Sequence, residues 1–460
     1  MSIVHDQAMH FIYQQVLERL LNHMSKEQRV SLQLLIQRLL VTAGGPEYIG
    51  TFRLLVVQGG DRRSARLLAI LRAAQLSIAL RAPVTFKLRV LVTCLPASSS
   101  AMLEQHDRIF NTLFMHDDPR VQLQMVEQAA VVPFCRQADA AAQHLPLSRE
   151  ALLLFGHLVD ARPEALLGSR THLELADAIR LALVAYPGTD ALVTAMPARQ
   201  RRRFAAWARR SLRLAGVARP DSLHQCVYSL ARWLAPLHAV AGAPGEGIGT
   251  PDLMQERALP LRVLMIDDLL AQLLGESELD RVLGCGLEPV RESPPLSVFV
   301  DPQALAQLHD IGGRCKAPGA PRQALRLVNQ DVPGKPQAPQ QPRFAKAYGL
   351  ENTQLACLLY RPFANQGAGL ERFLQCRHAD MLVALPYLHR ALQGKPCPDA
   401  VKDWIVNTSG LPLAQLRMVY KGRLGPGVRK LLANLARRDV QLRLLGRQVA
   451  VGTATRKASS

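Results

Sequence analysis

Phe52-Arg-Leu-Leu-Val-Val-Gln58-Gly59-Gly60-Asp61 is the stretch on which the fold turns. Its apolar run is short and ends in glycine, which predicts a strand rather than a helix. Asp61 then predicts the N-cap of a long helix reaching to about Leu80. Phe86 to Leu95 repeats the strand pattern, and Ser98 to Ser100 caps a further helix. Strand, helix, strand and helix joined by short turns predict an α/β unit over residues 46–147, with parallel strands. A strand-to-helix turn such as Gly59-Gly60-Asp61 offers backbone N–H groups to an anion. The turn is neither G-x-G-x-x-G nor a Walker loop, and Asp61 fills the helix N-terminus itself, so a plain turn is the expectation.

Upstream, Val4 to Met24 has helical spacing, and Ser25 with Gln28 is a capping-box start for a second helix ending at Gly44-Gly45. Residues 1–45 therefore read as a helical hairpin or as an arm through which two copies dimerise. Downstream, residues 148–240 read as helical throughout, broken at Pro163, Gly168, Pro187-Gly188, Pro197 and Pro220.

One helix in that span is unusual: between Arg199 and Arg213 there are seven arginines and no acid. Arg199, Arg202, Arg203, Arg209, Arg210 and Arg213 fall within an arc of roughly 120° at helical spacing. Phe204, Trp207, Ala208 and Leu212 lie on the other side. Such a face suits phosphates, an anionic membrane or an acidic protein partner.

Residues 241–257 form a glycine- and proline-rich linker, residues 258–315 a small α/β segment, and residues 316–343 a proline-rich linker. Within the small segment, Leu261 to Asp268 and Leu296 to Asp301 read as strands ending in carboxylates. That picture resembles the acidic, magnesium-holding pocket of receiver domains; the other reading continues Asp267 to Leu274 as helix.

Residues 344–460 form the last domain. Asp399 to Asn407 has helical spacing, Thr408-Ser409-Gly410 breaks it, and a second helix runs from Pro412 to Lys421. Ile405, Val406, Leu411, Leu416 and Val419 would form the shared seam. Leu413, Ala414, Arg417, Met418 and Lys421 would face outward. Val428 to Arg438 then reads as a third helix, and Val440 to Val451 as a β-hairpin around Gly446.

Ser409-Gly410-Leu411, Leu416-Arg417 and Tyr420-Lys421 resemble the helix-turn-helix of bacterial transcription regulators, the flagellar master-regulator type being nearest. The resemblance covers residues 399–427. It implies duplex DNA as partner, with Leu413, Ala414, Arg417, Met418, Lys421 and Arg423 as the DNA-binding set. The fold class expected is mixed and predominantly α, with an α/β unit near the N-terminus and a C-terminal helix-turn-helix or winged-helix-like domain.

Composition agrees with an anionic partner. The 460 residues carry a formal net charge of +19 and a pI near 10.1. From Trp404 to Ser460 there are eleven Lys or Arg against one acid, Asp439. Such density attracts polyphosphates through counterion release. The eight cysteines are scattered, as in a reducing compartment. Cys376, His378, His389 and Cys397 match no zinc spacing. No motif implies a cofactor or catalytic metal, and no G-x-S-x-G, H-E-x-x-H or Walker loop marks an enzyme.

The first residues lack the apolar core of a signal peptide, so a cytoplasmic site is expected. The sequence thus points to a DNA-binding transcriptional regulator. The alternative is a non-enzymatic helical interaction protein of a bacterial secretion or motility system, docking an acidic protein through its arginine helix.

Overall fold

The computed structural model describes residues 3–82, 84–93, 100–127, 130–136, 138–163, 165–186, 188–214, 261–270, 272–273, 275–283, 302–316, 343–422 and 432–433. The molecule is built on a six-stranded sheet in the order β4-β3-β2-β1-β5-β6. Its strands are β1 Arg53–Gln58, β2 Lys87–Val92, β3 Val121–Glu127, β4 Ala130–Pro133, β5 Ala191–Thr194 and β6 Arg262–Val263. All neighbours pair in parallel except β3 and β4. Chain order runs outward from β1 in one direction and then in the other, which makes the gap between β1 and β5 a topological switch point.

Alternation along β1 explains its burial. Leu54 and Val56 enter one core, with Leu88, Val90, Ile70 and Phe110, while Leu55 and Val57 enter the other, with Leu91, Leu153, Leu166 and Phe204. A parallel strand covered on both faces needs an unbroken apolar run, which is what the sequence supplies. Each such side chain contributes roughly 1.5 to 3 kcal/mol by leaving water.

The first layer comprises α1 Ile3–Asn22, α2 Lys26–Ala43, α3 Arg62–Arg81 and α4 Ser100–Thr112. Ser25 caps α2 with the expected box, Gly44 ends it in the left-handed region at φ 101, and Asp61 caps α3 through the Ser64 amide. The first two helices pack on the sheet: Leu17, Leu20, Leu32, Leu35 and Leu39 are buried on its α3 side. Phe11, Val30, Leu34 and Val41 are left exposed.

Beneath this layer lies a closed charge network. Arg72 is fully buried and donates to the carbonyls of Leu113 and Phe114, to Gln75 and to Asp118 at 2.7 Å, and Arg120 also reaches Asp118 at 2.7 Å. Burial alone would raise the Asp118 carboxyl, but the Arg120 and Arg72 guanidinium groups override it and hold it below its ordinary range.

The second layer consists of α5 Ala138–Leu158, α6 Arg170–Ala185 and α7 Ala198–Leu214. A π-turn, Ala165–Ser169, precedes α6. The short α8 Asp267–Leu270 and α9 Glu276–Leu283 return to the first layer, and α10 is Pro302–Lys316. A helical C-terminal body continues the second layer: α11 Arg343–Tyr348, α12 Asn352–Tyr360, α13 Leu370–Arg377, α14 Leu385–Gln393, α15 Asp399–Ser409 and α16 Leu413–Lys421.

Two sequence expectations change here. The span 148–240 is not helical throughout, because Ala191–Thr194 is a strand pairing with β1. Four apolar residues are too few for periodicity to separate strand from helix. Likewise, the strand expected over Leu261 to Asp268 shrinks to two residues, and Asp267 opens a helix instead. The linkers, Asp301, the third C-terminal helix apart from Leu432 and Ala433, and the terminal hairpin lie outside the described residues.

Candidate functional site

Two basic helices were singled out by sequence, α7 and α16, and the structure treats them differently. Helix α7 seats itself with Phe204, Ala208, Ser211 and Leu212, all buried. His172 on α6 meets the Phe204 ring at 5.5 Å and the Trp207 ring at 4.9 Å, and the Trp207 indole N–H points to Ser169 Oγ at 3.4 Å. Burial pushes the His172 imidazole down to about 4, so it packs as a neutral ring.

Opposite this seat, Arg202, Arg209 and Arg213 are exposed. Their spacing aligns them within roughly 40° along about 16 Å of helix. Arg202 and Arg209 make only long, 3.4 Å contacts to carbonyls of their own helix. The three guanidinium groups have no acidic partner among the described residues. Ala206, also exposed, lies beside the row. Arg210 is half-buried and engaged, while Arg199 and Arg203 belong to the same helix.

Arg201 turns the other way. It donates to the Met196 carbonyl at 3.0 Å and to Asp267 at 2.6 Å. Asp267 also receives Arg63 at 3.2 Å, and Arg63 in turn donates to the Ala195 carbonyl at 2.6 Å. This cluster closes the carboxyl ends of β1, β5 and β6 at the switch point. The Gly59 N–H is satisfied by Ser64 Oγ at 3.2 Å, and Asp61 occupies the N-terminus of α3. Asp267 thus serves as a clamp between Arg63 and Arg201.

Helices α15 and α16 are joined as the spacing predicts. Gly410 ends α15 at φ 69, in the left-handed region, and Ile405, Leu411, Leu416 and Val419 are buried between the helices and the core. A Cβ at Gly410 would lie 2.8 Å from Leu153 of α5 and 3.0 Å from Gln354 of α12. The turn is therefore pressed against the main body. Tyr420, one of the residues on which the resemblance rests, is buried with its hydroxyl 3.0 Å from His389 Nδ1.

The outward stripe of α16 is narrow. Ala414 and Lys421 are exposed, but Leu413, Arg417 and Met418 are half-buried. Arg417 Nε donates to the Ala391 carbonyl at 3.0 Å, at the end of α14. Gln415 is held by Glu150 of α5. Arg423 lies outside the described residues.

Among the described residues, no group of three His, Cys, Asp or Glu is placed to hold a metal. His378 packs edge-on to Trp404 at 5.2 Å, and Cys376 is an exposed thiol. No described helix is long and apolar enough to cross a membrane. Comparison with protein-family models, with curated proteins and with solved structures finds no match for this chain.

Proposed function

We propose that this protein binds duplex DNA as a transcriptional regulator, with the arginine row of α7 carrying most of the affinity. The observation behind this reading is the exposure of Arg202, Arg209 and Arg213 without acidic partners among the described residues. A row of fixed positive charges exchanges condensed counterions for itself along a phosphate backbone, and that exchange is independent of base sequence. Helix α16 is the element for sequence preference, through Ala414, Lys421 and the free edge of Arg417.

The test is fluorescence anisotropy of the full chain with a labelled duplex over a salt series. Replacing Arg202, Arg209 and Arg213 by glutamate should lower the slope of log K against log salt by about three. An unchanged slope overturns the assignment of α7.

A second reading rests on a specific observation. Gln415 and Arg417 are held by Glu150 and the Ala391 carbonyl, which leaves α16 little with which to read a groove. The same arginine row would then dock an acidic protein of a secretion or motility assembly. Recovery of an acidic partner that depends on the row, with no duplex binding at low salt, would select this reading.

A further inference from the structure

Between the end of α5 and the α12–α13 turn lies a cleft of about 350 Å³. One wall carries Asp160 and Arg162, and the other carries Tyr360, Arg361, Asn365 and Arg372. Three arginines and a single acid, Asp160, therefore line the same space. Arg361 binds Asp160 at 2.6 Å through one terminal nitrogen, while its Nε is buried without a hydrogen-bond partner among the described residues. Arg162, Asn365 and Arg372 are exposed at the rim, and Tyr360 is half-buried, its ring 5.5 Å from that of Phe373.

The backbone around this cleft is held in a conformation that residues with a Cβ avoid. Asp160 (φ 62), Ala161 (φ 47), Arg361 (φ 51), Asn365 (φ 51) and Gln366 (φ 57) all lie in the left-handed region. Among the described non-glycine residues only Phe114 shares it elsewhere. Arg361 takes up this conformation as the C-cap of α12, its N–H bonded to the Cys357 carbonyl, and Asp160 lies just beyond the last residue of α5, so the cleft lies between two helix ends. Helix α13 adds its N-terminus, since its N-cap, Gly369, offers no side-chain hydrogen bond to the first amides and itself lines the cleft.

We propose that the cleft is a binding site for a small phosphate monoester, its dianionic end among Arg162, Arg361 and Arg372 and its body against Tyr360. A tetrahedral phosphate presents three acceptor oxygens, enough to engage three guanidinium forks, whereas a carboxylate offers two. The volume lies near the lower end of ordinary ligand pockets, which suits a sugar phosphate or mononucleotide and excludes a nucleic-acid strand. The site is separate from the arginine row of α7, none of whose residues lines it.

The test uses the full chain and isothermal titration with phenyl phosphate and inorganic phosphate, with succinate at matched ionic strength as control. Phenyl phosphate should bind best and succinate worst. Arg162→Gln and Arg372→Gln, both at exposed positions, should each weaken phenyl phosphate by about tenfold. Arg361→Gln should weaken it further, with circular dichroism checking the fold; if that variant does not fold, the two rim variants decide. Charge reversal of Arg202, Arg209 and Arg213 should leave phenyl phosphate affinity unchanged. Equal binding of succinate, full affinity in the rim variants, or loss on altering α7 would each overturn the proposal.

Discussion

Helices α7 and α16 are both amphipathic, both basic and both seated on the same core, yet only α7 presents a row of charges to solvent, α16 exposing Lys421 alone. The difference lies in their neighbours. Helix α7 has an aromatic seat of Phe204, Trp207 and His172 that uses no cation from the opposite face. Helix α16 is hemmed in by α5 and α14, whose Glu150 and Ala391 carbonyl take up Gln415 and Arg417. A positive charge in sequence is available to a partner only where the fold has no carbonyl or carboxylate of its own to offer it.

The largest effect expected separates the two seats. Gly410→Val places a β-branched residue at φ 69 with a Cβ 2.8 Å from Leu153. It should cost roughly 3 to 4 kcal/mol, read as a fall in unfolding free energy. A cost below about 1 kcal/mol would mean that the α15–α16 turn is not pressed on the main body as described. Next comes the charge itself. Reversing Arg202, Arg209 and Arg213 should weaken duplex binding by about a hundredfold at low salt, against a few-fold for Arg417→Ala with Lys421→Ala. The opposite ranking would move the DNA contact to α16.

Acid should loosen the α7 seat along with the other sites of buried histidine. His172 is held neutral at about 4, whereas in the unfolded chain it titrates near its ordinary value of 6.5. On acidification through that window the unfolded chain gains a proton that the fold resists, so stability falls. At pH 5 one such histidine costs about 2 kcal/mol. His106 and His157 share the depression to about 4, through burial. His172→Phe should therefore remove about a third of the acid sensitivity, measured as unfolding free energy between pH 7 and pH 5. The smallest effect is Arg417→Ala: removing its bond to the Ala391 carbonyl should cost about 1 kcal/mol at neutral pH.

Much of the frame was legible in residue order. The unbroken apolar run of β1, the Asp61 cap, the Ser25 box and the Gly410 stop each rest on local chemistry, and each stands where spacing put it. What stayed hidden is long-range. β5 is too short to show a period, and only pairing across the sheet reveals it, while β6 was legible as a strand but not in its length. Val121–Glu127 and Ala130–Pro133 likewise went unread as strands. The outward face of α16 followed from helical angles, but its partial covering by Glu150 and Ala391 could not. The same holds for Asp267, which reads as a strand-end carboxylate and becomes a clamp for Arg63 and Arg201. The cleft at Asp160 and Arg361 has no local signature at all, since its walls are about 200 residues apart in sequence.

The most direct test of the central claim is arginine footprinting. The full chain is treated with phenylglyoxal, with and without saturating duplex, and modification at each arginine is read by mass spectrometry. Duplex should protect Arg202, Arg209 and Arg213 together and leave Arg162 and Arg372 as reactive as before. Protection absent from the α7 row, or confined to Arg417 and its surroundings, would contradict the account.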